Sequence, residues 1–258
     1  VFRAVLAPGD AIVNSVPTFG MYDVTAHICG ATTIEVDRDD SFCIDVDQVL
    51  AQAANAKIIV LASPNNPSGN ATPVSDIERL VDSHCVVIVD EAYVEFGATS
   101  VAPLVQTHGN LVVLRTLSKW GGLAGLRVGY GVMDPVMADV LMRGKPPYNV
   151  SQAAEVALLA SLQDREILDE RAQLIVRERE RMQALLAEIP SIHPLPSEAN
   201  FVLCAMPQGR GKSIYQALAA LGVSVRYYAR GKLADFLRIS VGTPQQTDRL
   251  MHALSASL

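Results

Sequence analysis

CVVIVDEAY, residues 85–93, runs five apolar residues without a polar break and then stops at Asp90-Glu91-Ala92-Tyr93. A strand facing solvent on one side alternates polar and apolar residues. An unbroken, β-branched run is what a strand buried on both faces requires. KIIVLAS (57–63) and NLVVLRTLS (110–118) repeat the design, and each also ends in a polar cluster. Between the first two lies TPVSDIERLVDSH (72–84), with a Thr72-Pro73 start and Ile77, Leu80 and Val81 on one face, the pattern of a crossover helix. Strand, helix and strand in this order predict an α/β fold around a mostly parallel sheet.

Working outward, DAIVNSV (10–16) and TTIEVD (32–37) read as further strands, with a helix over 18–30 between them ending at Gly30. VFRAVLAPGD (1–10) has helical spacing cut off by Pro8-Gly9, the look of a helix tail whose start is missing. Beyond GYGVMD (129–134) the texture changes. A helical hairpin or one bent helix is expected over 151–188, its RERER run (177–181) forming a solvated face. NFVLCAM, SIYQALAALG, VSVRYY, FLRISVG and TPQQTDRLMHALSASL then predict a smaller α+β unit of strand, helix, two strands and a capped helix. The expected division is a large domain over 1–165 and a small one over 166–258.

The chain has 258 residues, half of them hydrophobic, and a formal charge of −6. Such a balance does not suit a nucleic-acid or anionic-membrane surface. No apolar run reaches the roughly 18 residues of a membrane span, and no signal peptide is visible. Cys29, Cys43, Cys85 and Cys204 lack the close pair spacing of a zinc site, so reduced, mostly buried thiols in a cytoplasmic protein are expected. The five histidines are scattered, and no metal site is expected. GRGKS (209–213) imitates the end of a phosphate-binding loop, but Met206 stands where that loop needs glycine, and no suitable strand-to-helix turn is expected there.

In an open parallel sheet, ligands sit outside the carboxyl ends of the strands, so the polar clusters after the three central strands should converge on one pocket. They bring an acid, a tyrosine, an asparagine and a lysine together, with an arginine eight residues beyond the lysine. A desolvated lysine, its proton affinity lowered, attacks carbonyls. A carboxylate at a strand end keeps a pyridine nitrogen protonated. Ser118 and Arg127 can hold a phosphate, the arginine through its planar fork. Tyr93 and Asn66 can bond a phenolic oxygen. Those are the needs of pyridoxal 5′-phosphate (PLP).

SPNNPSG (63–69), VDEAYVEF (89–96), RTLSKWGGLAGLRVGY (115–130) and FLRISVGT (236–243), in this order, resemble the motifs of the fold-type I PLP-dependent aminotransferases. Within them the resemblance is greatest to the histidinol-phosphate aminotransferases. It implies Lys119 as the Schiff-base lysine that also shuttles the proton, and Asp90 on the pyridine nitrogen. Tyr93 and Asn66 would bond the ring hydroxyl, and Ser118 and Arg127, with Thr116 in a lesser role, would hold the cofactor phosphate. Phe19, in VPTFGMY, falls where the family stacks an aromatic ring, usually tyrosine. Arg238 and Arg226 would grip the substrate's anionic group, with Asn66 alongside.

The implied reaction is transamination of L-histidinol phosphate with 2-oxoglutarate by a homodimer. An aromatic amino-acid aminotransferase and a threonine-phosphate decarboxylase share the motif set. A non-catalytic PLP-binding module or an inactive fragment is the rival of another class. The family's phosphate-capping glycine turn, its substrate-covering N-terminal segment and a tyrosine reaching the partner's site are expected before residue 1. Trp120, directly after the lysine, departs from the family's usual smaller residue, while Glu91 and Asn65 are expected to be structural.

Overall fold

The computed structural model describes residues 1–229 and 231–258. Its first half is built on a six-stranded sheet: β1 (Ala11–Val16), β2 (Thr32–Asp37), β3 (Ile58–Ala62), β4 (Val86–Asp90), β5 (Leu111–Thr116) and β6 (Gly129–Met133). The spatial order is β2-β1-β3-β4-β5-β6, parallel except for the antiparallel β5–β6 pair. The order reverses between β1 and β3, which opens a crevice at their carboxyl ends.

Six helices belong to this half: α1 (Phe2–Val5), α2 (Met21–Ile28), α3 (Val46–Ala53), α4 (Val74–Val81), α5 (Pro135–Gly144) and α6 (Gln152–Gln163). The apolar runs are continuous because the sheet has a core on each face. Side chains alternate along a strand, so in β3 Ile59 and Leu61 enter one core with Val87, Val89 and Val113. Ile58, Val60 and Ala62 enter the other with Ile12, Ile88 and Val112.

The second half follows the long helix α7 (Arg165–Ala187): β7 (His193–Pro194), β8 (Phe201–Ala205), α8 (Gly211–Ala220), β9 (Arg226–Tyr227), β10 (Phe236–Ser240) and α9 (Pro244–Ser257). Its antiparallel sheet runs β7-β8-β10-β9. Leu237 and Ile239 of β10 pack with Val202, Cys204, Ile214 and Leu254 on the helix-covered face. Period two therefore turns Arg238 to the opposite face. A Thr243–Gln246 capping box starts α9.

The expected fold class holds, with local corrections. The helix expected over 18–30 spans only Met21–Ile28, because Thr18 is held outside it by a hydroxyl hydrogen bond to Asn65 Oδ1 at 2.7 Å. VSVRYY shrinks to the two residues of β9, which pair with β10 at the sheet edge. GRGKS does lie between a strand, β8, and the start of a helix, α8, which corrects the expectation about its setting; Met206 still stands in the glycine's place. RERER is not all solvated: Glu178 and Arg179 are buried. Arg179 Nη1 donates to the carbonyls of Phe96 (2.8 Å) and Ala199 (3.0 Å), tying the loop after β4 to the loop before β8. Of the thiols, Cys85 and Cys204 are buried, Cys29 is half-buried and Cys43 is exposed.

A second tie involves Gly69, at φ +84°. A Cβ added there would stand 2.8 Å from Ser197 Cβ. Ser197 cannot yield easily, since its hydroxyl donates to Phe201 O and accepts from Ala199 N–H. Gly69→Ala is expected to destabilise the chain by about 2 kcal/mol, from left-handed backbone strain and overlap together. A urea midpoint indistinguishable from that of the parent chain would contradict this.

Candidate functional site

The carboxyl ends of β1, β3, β4 and β5 open into one cavity of about 860 Å³ that also reaches β9 and β10. Phe19, Asn66, Asp90, Tyr93, Ser118, Lys119, Arg127, Arg226 and Arg238 all line it. Every residue given a cofactor or substrate role from the sequence is thus brought to the same place, Thr116 included, whereas Trp120 does not line the cavity.

The loop between β5 and β6 is the centre of the arrangement. The chain leaves at Thr116 and returns at Gly129, its register partner, so Ser118, Lys119 and Arg127 lie within one closed excursion. Gly129 is required there because a Cβ would meet the Arg115 carbonyl at 2.5 Å. Leu117 and Val128 pin the loop's neck into a small core with Ala154. Thr116 Oγ1 donates to Ser118 Oγ at 2.9 Å and accepts the Ser118 N–H at 3.0 Å, fixing that hydroxyl. Arg127 adopts the left-handed region at φ 55° and bonds the Ala124 carbonyl at 2.9 Å. Lys119 Nζ lies 5.6 Å from the centre of the Tyr93 ring, a cation–π contact. Lys119 is exposed, which corrects the expectation of a desolvated amine: the loop carries it three residues beyond the buried strand, to the rim.

Asp90 ends β4. Its Oδ2 accepts the Tyr22 hydroxyl at 2.7 Å, and its Oδ1 accepts the Ala92 N–H at 3.1 Å. Burial pushes its carboxyl above the ordinary value; the Tyr22 bond, then the Ala92 N–H, then the Lys119 charge oppose that rise. Burial likewise raises the Tyr93 hydroxyl, against the pull of Arg238.

Asn66 and Arg238 join the two sheets. Arg238 Nη1 donates to Asn66 Oδ1 at 2.5 Å, and the guanidinium lies 4.8 Å from the centre of the Phe201 ring. Phe201 in turn meets Tyr93 edge-on at 5.1 Å. Because Arg238 occupies the amide oxygen, Asn66 is left with its Nδ2 donors to offer. Arg226 and Arg238 are register partners across β9–β10, so their side chains share a face. Among the described residues neither is ion-paired with a carboxylate.

Glu91 is the structural residue the sequence suggested. It is 1 % exposed, accepts from Ser100 Oγ and Val101 N–H, and pairs with Arg115 at 2.9 Å. Asn65 bonds Pro17 O and Ser68 Oγ and is structural as well. Sequence reading missed Tyr22, Tyr228 and Arg115, which also line the cavity. Tyr228 had a local signal, standing two residues from Arg226. Tyr22 had none, because its partner is 68 residues away. Among the described residues there is no cluster that could hold a metal ion, and no helix is long and apolar enough to cross a membrane.

Residues 1–254 match the family model for aminotransferase class I and II. Histidinol-phosphate aminotransferase from Roseiflexus castenholzii is 47% identical over 98% of this chain and 70% of its own length. The chloroplastic histidinol-phosphate aminotransferase of Nicotiana tabacum is 44% identical, and the chain spans 62% of its length. The crystal structure of histidinol-phosphate aminotransferase from Sinorhizobium meliloti in complex with pyridoxal-5′-phosphate superposes with a TM-score of 0.89 at 27% identity. It matches 99% of this chain and 72% of that one.

Proposed function

We propose, from the premise that the chain belongs to the class I and II aminotransferase family, that its cavity transfers an amino group from L-histidinol phosphate to 2-oxoglutarate. The observation that carries the substrate is the arginine pair: two guanidinium groups, partners in register on one face and lacking a carboxylate between them. Such a pair suits a phosphate dianion, since like charges directly opposite are otherwise unfavourable. The names of the relatives point the same way.

The cofactor is pyridoxal 5′-phosphate, and the donor set fits it. Each Asp90 oxygen accepts one hydrogen bond and keeps a lone pair, so the carboxylate can take a ring N–H. Asn66 has its amide donors free for a ring oxygen, beside the Tyr93 hydroxyl, and Ser118 and Arg127 supply donors for a phosphate. When bound, the cofactor supplies a carbonyl that accepts the amino group and a protonated ring that draws electrons from the substrate's Cα. Lys119 would offer its amine to the cofactor's carbonyl and, once free, would take up the proton that leaves the substrate's Cα and hand it on. Phe19 would cover one ring face, while Arg226 and Arg238 would hold the substrate's phosphate.

Residues 1–165 form the cofactor-binding domain in this reading and 166–258 the small one. A homodimer in the cytoplasm completes the proposal, although the tobacco relative is chloroplastic. Support for the dimer comes from uncovered apolar side chains on α5, α6 and α7, including Val136, Met142, Leu159 and Leu174.

Arg226→Gln tests the substrate. Loss of one charged hydrogen bond is expected to lower kcat/KM for histidinol phosphate by about 10- to 100-fold. The value for an aromatic amino acid without phosphate should change far less. Equal losses on both donors would overturn the phosphate assignment and favour an aromatic aminotransferase.

A further inference from the structure

Tyr22 lies in the first turn of α2, 8 % exposed, among apolar neighbours that include Ile12, Ala26 and Ala62. Phe19 meets its ring edge-on at 5.6 Å and 81°. A phenylalanine would fill that ring space equally well, so packing does not account for the hydroxyl. The hydroxyl bonds Asp90 Oδ2, at the end of β4, at 2.7 Å. We propose that Tyr22 is a positioning residue: its hydroxyl fixes the Asp90 carboxylate in orientation and favours its charged form, ready to receive the cofactor's ring nitrogen. This rests on the PLP reading given above.

Geometry assigns the role. A carboxylate at a strand end can rotate about its Cβ–Cγ bond, and the Ala92 N–H holds only one oxygen, at 3.1 Å. Tyr22 holds the other, so the plane of the carboxylate is set by donors from two different elements. Both remaining lone pairs belong to the same fixed plane, and a ring N–H has a defined place to meet one of them. Tyr22 remains a donor throughout the working pH range, because burial and then the Asp90 charge push its own ionisation well above the ordinary value.

The charged surroundings of Asp90 are few. Lys119 faces it from the loop after β5 and favours its charge, while Glu91, the next residue along the chain, opposes it. Glu91 is neutralised in turn by Arg115. Tyr93 also senses the Asp90 charge, and Arg38 acts on Tyr22 from beyond β2. None of these except Tyr22 donates a side-chain hydrogen bond to the carboxylate among the described residues.

The test is Tyr22→Phe, read in two ways. In the PLP-free chain, carbon-13 NMR of the Asp90 carboxyl carbon should show its titration raised by about one pH unit, a tenfold loss in acidity. In PLP titrations followed by quenching of Trp120, the chain's one tryptophan, the acid limb of affinity should move up by the same amount. A hydroxyl with a merely structural role would lower thermal stability and leave both curves in place. An unmoved Asp90 titration in a chain that binds PLP overturns the inference alone. Absence of PLP binding in the parent chain overturns the cofactor reading, and the inference with it. Should Tyr22→Phe not fold, incorporation of 3-fluorotyrosine, a more acidic donor, must move the Asp90 titration downward; no shift or a rise counts against the proposal.

Discussion

Lys119→Ala is expected to transaminate at least about 1,000-fold more slowly than the parent chain, since one side chain is asked to be both nucleophile and proton carrier. Affinity for PLP should fall far less, because Asp90, Asn66, Ser118 and Arg127 remain to hold it. Borohydride reduction of the parent chain with PLP should fix a pyridoxyl group on Lys119, found by peptide mapping, and the alanine chain should carry no label there. The exposure of Lys119 makes the mapping necessary, because surface lysines also react with aldehydes. Label spread evenly over all lysines, with activity unchanged in Lys119→Ala, would remove Lys119 from the chemistry.

The second large effect concerns stability. Arg179→Ala is expected to lower the melting temperature by about 6–12 °C, corresponding to about 3 kcal/mol for a chain of this size. Two buried carbonyls, Phe96 O and Ala199 O, lose a charged donor, and the space beneath Gly97 loses the guanidinium that lies 3.7 Å from the position of a Cβ there. Burial holds the Arg179 guanidinium below its ordinary pKa. Lysine restores a charge without the planar fork, so Arg179→Lys should recover less than half of the loss. A melting curve unchanged in Arg179→Ala would show that the two loops are held by packing alone.

The carboxylate at the centre of the site weakens the fold that carries it. Burial raises the Asp90 pKa, so the folded chain binds that proton more readily than the unfolded one. The group contributes stability below the ordinary carboxylate range, and this is lost as pH rises through its folded value. Above that value the ionised, PLP-free site is therefore a place where stability has yielded to function.

The central strands were legible because burial on both faces leaves a pattern no other local structure shares. Their polar ends were legible as a site because parallel strands must deliver their ends to one edge. β6 escaped the same reading. It is an edge strand with Gly129 and Gly131 among five residues, and it lacks the apolar run that marks its neighbours. Helix α3 has an Asp45 cap and buried Val46, Val49 and Ala53; the sequence reading assigned nothing to this stretch, although the cap and the apolar spacing are a helix signal. Arg179 and Tyr22 were illegible for one shared reason. Their partners are 83 and 68 residues away, and a charge run or a helix-borne tyrosine looks the same locally whether it faces water or a carbonyl.

The hydrogen bond from Arg238 to Asn66 has a thermodynamic consequence. One group is assigned to the substrate and the other to the cofactor, so the two ligands are linked through a single shared contact. An anion that draws Arg238 away frees the Asn66 oxygen and lets its amide turn over, while a cofactor that holds the amide donors keeps the oxygen facing the arginine. Linkage is reciprocal: whatever factor the cofactor imposes on anion affinity, the anion must impose on cofactor affinity. The amide of Asn66 is thus a small balance on which the two halves of the reaction weigh each other.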